Sequence, residues 1–188
     1  LSSAASDVYK RQLKEQLMEH FSVPTEAGAK VKCVAETQFF GTIGSLKLVP
    51  EFHNDAMLVM NSDLLTDIDY EDFYLHFKQN GAMMSAAAVP YTISVPYGIF
   101  DIDGRNILGV EEKPVYNMYA NAGIYLIRRE ALRYIPEGKV FNATDLIQAL
   151  VADHQPVIRY PLTGLWIDIG LSLIHISAPT RLRRISYA

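Results

Sequence analysis

The stretch Leu58-Val59-Met60-Asn61-Ser62-Asp63-Leu64-Leu65 decides the fold. Leu58, Val59 and Met60 close a buried strand that begins at Ala56. Asn61, Ser62 and Asp63 stop it with three polar side chains, and Leu64-Leu65-Thr66-Asp67 leads toward a helix. In an open α/β sheet, ligands gather just beyond the carboxyl ends of the strands. A carboxylate there, Asp63, is placed to hold a hard divalent cation against a phosphate. The competing reading of the same residues is a plain turn tied down by the Asp63 side chain.

Around this stretch, helix and strand alternate. Leu13, Leu17, Met18 and Phe21 share one helical face, and Lys30 to Ala35 alternates as a strand closed by Glu36. Gly41-Thr42-Ile43-Gly44-Ser45 is a glycine-marked loop before the apolar segment Leu46 to Val49. Tyr70, Phe73, Tyr74 and Phe77 fall at i, i+3, i+4 and i+7, with Asp67 or Asp69 as cap and Gly81 just past the end. Ala82 to Ile93 is a small-residue strand, and Gly98 to Val110 a hairpin turning at Asp103-Gly104. Asn121 to Ile127 is another strand. Thr144 caps a helix running through Leu146, Ile147 and Leu150, followed by strands at Pro156 to Tyr160 and Trp166 to Ile169. This order predicts one α/β layered domain with a mostly parallel mixed sheet flanked by helices.

Composition narrows the function classes. The 188 residues suffice for one domain with a core, and 49% hydrophobic against 20% charged residues is a globular balance. No apolar run approaches the roughly 20 residues of a membrane helix; the nearest, Ala82 to Pro90, is short and ends in proline. A net charge of −4 argues against a nucleic-acid partner. The single cysteine, Cys33, forms no internal disulfide and no zinc cluster. It reads as a small strand residue, and a cytoplasmic, reducing setting fits.

The two ends depart from this pattern. Residues 1–12 (LSSAASDVYKRQ) and 171–188 (LSLIHISAPTRLRRISYA) resemble translated sequencing-adaptor sequence of the kind that brackets assembled metagenomic fragments. Residues 13–170 are then the genuine segment, a partial domain cut at both ends, with 12 basic against 20 acidic residues. The alternative is a real basic tail carrying Arg181, Arg183 and Arg184.

Five groups stand in sequence order: Glu36 with Gly41-Thr42-Ile43-Gly44; Asn61-Ser62-Asp63; Tyr97-Gly98 with Asp101 to Gly104; Glu111-Glu112-Lys113-Pro114 with Asn121-Ala122-Gly123-Ile124-Tyr125; and Trp166-Ile167-Asp168-Ile169-Gly170. Each alone is weak, but in this order they resemble the sugar-1-phosphate nucleotidyltransferases, the pyrophosphorylases that make nucleotide sugars. The resemblance covers 13–170.

It implies a Rossmann-like catalytic domain in which a sugar phosphate oxygen attacks the α-phosphorus of a nucleoside triphosphate and pyrophosphate leaves. By the same resemblance, Asp63 and Asp168 hold Mg²⁺, and Lys113 is catalytic together with them. Gly41, Thr42, Gly44 and Asn61 meet the nucleotide. Gly98, Glu112, Lys113, Asn121 and Gly123 meet the sugar phosphate, Glu112 through sugar hydroxyls and Lys113 as a point charge. The partners are a nucleoside triphosphate and a sugar 1-phosphate, with no nucleic acid and no membrane, and a homo-oligomer is compatible with the parent protein. Asn61 to Asp67 and Asp145-Leu146-Ile147 most resemble bacterial enzymes of mannose-type or amino-sugar guanylyl transfer.

One departure stands out. The family opens with an arginine-bearing glycine-rich loop around the triphosphate and a lysine-proline signature soon after; neither occurs here, so turnover is not expected from this chain. Two other classes compete. A metal-dependent glycosyltransferase of the Rossmann-like GT-A type would use Asn61-x-Asp63 as its metal motif, but Glu112-Lys113-Pro114 with Trp166-x-Asp168-x-Gly170 argues against it. A regulatory domain that binds nucleotide sugar without transfer would also lack the triphosphate loop.

Overall fold

The computed structural model describes residues 15–16, 18–22 and 31–169. Of the expected first helix, 15–16 and 18–20 are helical, while Leu13 and Leu17 lie outside the described residues, as do Lys30, Gly170, 1–12 and 171–188. The stretch 31–36 is not a strand but irregular and exposed, Cys33 included. Val31, Cys33 and Ala35 carry the right alternation yet find no pairing edge among the described residues, and a strand without a ladder leaves its backbone to water.

A 3₁₀ segment, Gly44–Leu48, leads to β1 (Ala56–Met60) and the short β2 (Leu64–Thr66). Helix α1 (Tyr70–Gln79) follows, then β3 (Met84–Ser94), the hairpin β4 (Ile99–Asp103) and β5 (Asn106–Glu111), and the long β6 (Val115–Arg128). A second 3₁₀ segment, Arg129–Tyr134, precedes α2 (Ala143–Ala152), β7 (Val157–Pro161) and β8 (Trp166–Asp168). The central sheet has the order β1-β6-β3-β7. β6 is antiparallel to both β1 and β3, and β3 is parallel to β7. Three of the four strands thus point one way around an antiparallel β6, the mixed sheet of an α/β domain expected from sequence, with one parallel and two antiparallel junctions.

Alternation along β6 separates two cores. Ile124 and Leu126 meet Phe73 and Phe77 of α1, whereas Tyr125 and Ile127 meet Leu146 and Leu150 of α2. Phe73 and Phe77 are buried, each contributing roughly 1.5–3 kcal/mol by leaving water. Tyr70 and Tyr74, one step round the helix, stay exposed. Asp69 is the α1 cap, its carboxylate accepting from Glu71 N and Asp72 N at 3.0 Å each. Asp67, the other candidate, instead fills the space that a Cβ on Gly164 would need.

Two expectations shift. The hairpin turns at Gly104-Arg105, with Asp103 already paired to Asn106, because glycine takes the first of the two turn positions. The α2 cap is Asn142 rather than Thr144, which lies inside the first turn.

The carboxyl ends of β1, β3 and β7 share one edge of the sheet. Only residues 153–156 join α2 to β7, so the helix runs back along the strand and its N-terminus reaches that same edge. No helix among the described residues is long and apolar enough to cross a membrane.

Candidate active site at the carboxyl edge of the sheet

β6 carries a bulge where β1 ends. Tyr125 pairs with Ala86 and Asn121 with Ala88, leaving residues 122–124 opposite Ala87 alone. Gly123 makes this possible with φ +73, a conformation that costs an L side chain about 1–2 kcal/mol. A Cβ there would also stand 2.7 Å from Asn61 Nδ2. Four hydrogen bonds hold the bulge. Asn61 N donates to Gly123 O at 3.0 Å, and Gly123 N to Asn121 Oδ1 at 3.1 Å. Asn121 Nδ2 donates to Tyr125 Oη at 2.8 Å, and Trp166 Nε1 to Ala122 O at 2.9 Å. Burial pushes the Tyr125 phenol up, against the smaller opposing effect of Asn121.

The same junction brings the backbones of Asp63 and Asp168, the two expected metal ligands, to neighbouring strand ends. β2 and β8 pair antiparallel with Leu64 opposite Asp168, and Ile169 N donates to Asp63 O at 2.8 Å. Asp63 and Asp168 therefore leave adjacent strand ends beside Asn61. Among the described residues no group of three or more His, Cys, Asp or Glu gathers in this way. An all-oxygen pair of carboxylates fits Mg²⁺, which commonly takes one or two protein carboxylates and completes its octahedron with phosphate oxygens and water.

Glu112, Lys113 and Gly98 meet at the base of the β4–β5 hairpin. A Cβ on Gly98 would stand 2.9 Å from Glu112 Oε2, so this glycine admits the carboxylate. Val95 N donates to Pro114 O at 3.0 Å and fixes the chain just beyond. Between them Lys113 holds φ +47, an uncommon backbone for a long side chain and a strained one.

Gly41, Thr42 and Gly44 sit at the N-terminus of α2. A Cβ on Gly41, whose φ is +81, would lie 2.5 Å from Phe141 O, and one on Gly44 3.0 Å from Lys139 O. Both glycines thus already serve close packing against the chain's own backbone. Thr42 N donates to Asn142 Oδ1 at 3.2 Å, while Ala143 N donates to Thr42 Oγ1 at 2.9 Å.

The Asn61–Gly123 junction and the Gly41–Gly44 loop are thus each held by their own hydrogen bonds. The sequence reading passed over Asn142, Phe141 and the bonding roles of Tyr125 and Trp166. The Asn142-x-x-Asp145 spacing before an apolar run is a capping signature that points to Asn142, and Asp145 Oδ2 does accept from Asn142 N at 2.7 Å.

A family model described as nucleotidyl transferase matches residues 4–178. The chain is 29% identical over 168 residues to the mannose-1-phosphate guanylyltransferase catalytic subunit beta of Dictyostelium discoideum, covering 86% of this chain and 46% of that protein. It is 30% identical over 141 residues to the UTP–glucose-1-phosphate uridylyltransferase of Synechocystis sp., covering 69% and 36%. The crystal structure of HddC from Yersinia pseudotuberculosis matches with a TM-score of 0.61 at 21% identity, over 89% of this chain and 72% of that one, a likeness of fold. The chain spans about half or less of the length of these curated relatives.

Proposed function

The chain belongs to the nucleotidyl transferase family, and from that premise we propose that it serves sugar-1-phosphate nucleotidyl transfer at the junction of Asn61, Gly123 and the β2–β8 pair. In the reaction a phosphate oxygen of the sugar 1-phosphate forms a bond to the α-phosphorus of the triphosphate. The bond from that phosphorus to the bridging oxygen breaks, and pyrophosphate leaves with the electron pair. The protein's share is to align two anions and to offset their charge.

Asp63 and Asp168 would hold Mg²⁺, which when bound offsets phosphate charge. Lys113 places a cation at the sugar phosphate, its left-handed backbone fixing where the side chain leaves the loop. Glu112 accepts from sugar hydroxyls, with Gly98 leaving room beside it. Asn121 and Gly123 offer the sugar a rigid wall, since the bulge bonds are already made. Gly41, Thr42, Gly44 and Asn61 line the nucleotide side. The pairing of Leu64 with Asp168, next in the chain to Asp63, is the observation that supports this reading.

Among substrates we favour guanylyl transfer to mannose 1-phosphate or an amino-sugar 1-phosphate, in keeping with the guanylyltransferase relative. A bacterial, cytoplasmic setting and a homo-oligomeric assembly belong to the same proposal, and the lone cysteine agrees with a reducing compartment. Calorimetric titration with GDP-mannose and UDP-glucose in Mg²⁺ tests it. Binding of GDP-mannose at least tenfold tighter supports the substrate assignment. Tighter UDP-glucose binding replaces the base and sugar, and binding of neither refutes the site.

A further inference from the structure

Arginines on the central sheet and on the 3₁₀ segment that follows β6 have partners, with one exception. Arg128 Nε donates to Ala82 O at 2.7 Å, Arg129 pairs with Asp55 at 3.4 Å, and Arg133 Nη2 donates to Tyr134 Oη at 3.1 Å. Arg159, in the middle of β7, meets no acceptor and no carboxylate among the described residues. Its guanidinium instead stands 4.1 Å from the centre of the Tyr119 ring. Both side chains are exposed.

Register explains the contact. Arg159 lies opposite Ala86 of β3, and Tyr119 lies opposite Pro90, further toward the carboxyl end of the same strand. Because β3 stands between β7 and β6, the arginine stem crosses it, where Ala86 and Ala88 leave room, and leans toward the carboxyl edge. Tyr119 is two residues from Asn121, and both pair regularly with β3 ahead of the bulge, so they share one face of β6. The stacked pair thus extends, toward β7, the strip that begins at Gly123 and Asn121.

A guanidinium stacked on a ring uses its face, and its edge still offers N–H groups in one plane. That edge matches the oxygens of a carboxylate or a phosphate. Stacking also restricts the long side chain before a ligand arrives, which lowers the cost of binding. In a chain with 21 acidic against 17 basic residues, a cation kept clear of the chain's own carboxylates is open to one from a ligand.

We propose that Arg159, braced by Tyr119, is an oxyanion subsite at the sugar end of the site, and that the mannose-type sugar preferred there carries a second acidic group, a carboxylate or a phosphate, besides its 1-phosphate. Arg159 meets that group directly, and Tyr119 is a positioning residue acting through it. The inference rests on the reading of Asn121 and Gly123 as the sugar side of the site.

Calorimetric titration in Mg²⁺ tests it, with GDP-mannose, GDP-mannuronic acid and GDP-mannose phosphorylated on the sugar 6-oxygen. UDP-glucose and UDP-glucuronic acid form the matching pair for the other base. Each uronic acid differs from its parent only by a carboxylate in place of the hydroxymethyl group. The unsubstituted chain is expected to bind an acidic sugar about tenfold or more tighter than its neutral parent, the size of one charge-assisted contact. The carboxylate and phosphate arms tell which group is taken. In Arg159→Gln the ratio falls toward one, while Arg159→Lys, a point charge without the planar fork, keeps part of it. Equal binding of acidic and neutral sugars, or tighter binding of the neutral ones, overturns the inference while leaving the site reading intact. A ratio unchanged in Arg159→Gln overturns the role of Arg159. Binding of no nucleotide sugar removes the sugar reading of Asn121 and Gly123, and this inference with it. Should a variant not fold, the ratios of the unsubstituted chain still decide whether an acidic sugar is preferred.

Discussion

Gly123 lies against Asn61: Asn61 N donates to Gly123 O, and the face of Gly123 that would carry a side chain is covered by the Asn61 amide. This contact joins the end of β1 to the bulge of β6, the point where both carboxylate-bearing strand ends converge. Gly123→Ala must therefore move Asn61 as well as adopt a left-handed backbone. We expect a loss of about 1–3 kcal/mol in urea unfolding, from strain at a disfavoured φ plus the steric shift. A change within about 0.5 kcal/mol would show that the bulge can relax without harm.

Lys113 offers the opposite test. Its φ of +47 suits glycine, so Lys113→Gly should leave stability unchanged or raise it by up to about 1 kcal/mol. If the backbone is held there to aim a cation at phosphate, the same substitution weakens nucleotide-sugar binding by about tenfold or more. Stability and affinity moving apart is the expected outcome of denaturation and titration on one variant. Affinity left unchanged would remove Lys113 from the site.

Ser85 is fully buried on β3, and among the described residues its Oγ has no hydrogen-bond partner. Burying an unmet hydroxyl is unfavourable. Ser85→Ala should therefore raise the unfolding free energy by about 1 kcal/mol. A comparable loss would mean that the hydroxyl has a bound water.

Alkaline pH tests the contact between α1 and β7. Tyr160 donates to Asp72 Oδ2 at 2.6 Å, and desolvation, reinforced by that carboxylate, pushes its phenol up to about 12. The folded protein thus keeps a proton that the unfolded chain releases near pH 10. Its contribution to stability is complete below pH 10 and disappears as pH rises toward 12. Unfolding measured from pH 9 to 12 should fall less steeply in Tyr160→Phe than in the unsubstituted chain. Identical slopes would contradict the shift.

Much of the scaffold was legible because it repeats. The i, i+3, i+4, i+7 apolar spacing from Tyr70 to Phe77 gave α1 its register, and the polar stop at Asn61 gave β1 its end. Features set by a single long-range contact were not legible. Nothing in the composition of Asn121 to Ile124 announces two extra residues in β6, since a bulge breaks alternation only where its partner strand is known. Thr144 and Asn142 are both competent caps, and the choice falls to Asn142 through Asp145 and, across the fold, Thr42. Val31 to Ala35 has strand chemistry but no neighbour among the described residues. The two aspartates were readable one at a time, and only the β2–β8 pairing, Leu64 opposite Asp168, shows that their backbones lie at neighbouring strand ends.

The most direct test of that pairing is a thermal melt followed by circular dichroism, with GDP-mannose in the presence and absence of Mg²⁺, on the unsubstituted chain, Asp63→Asn and Asp168→Asn. A ligand that binds only the folded protein raises the midpoint by mass action. We expect a rise that requires Mg²⁺ in the unsubstituted chain and vanishes in both variants, whose midpoints without ligand stay close to the original. A rise of equal size with and without Mg²⁺, or one undiminished in Asp63→Asn, would contradict a metal-bridged site at the end of β1.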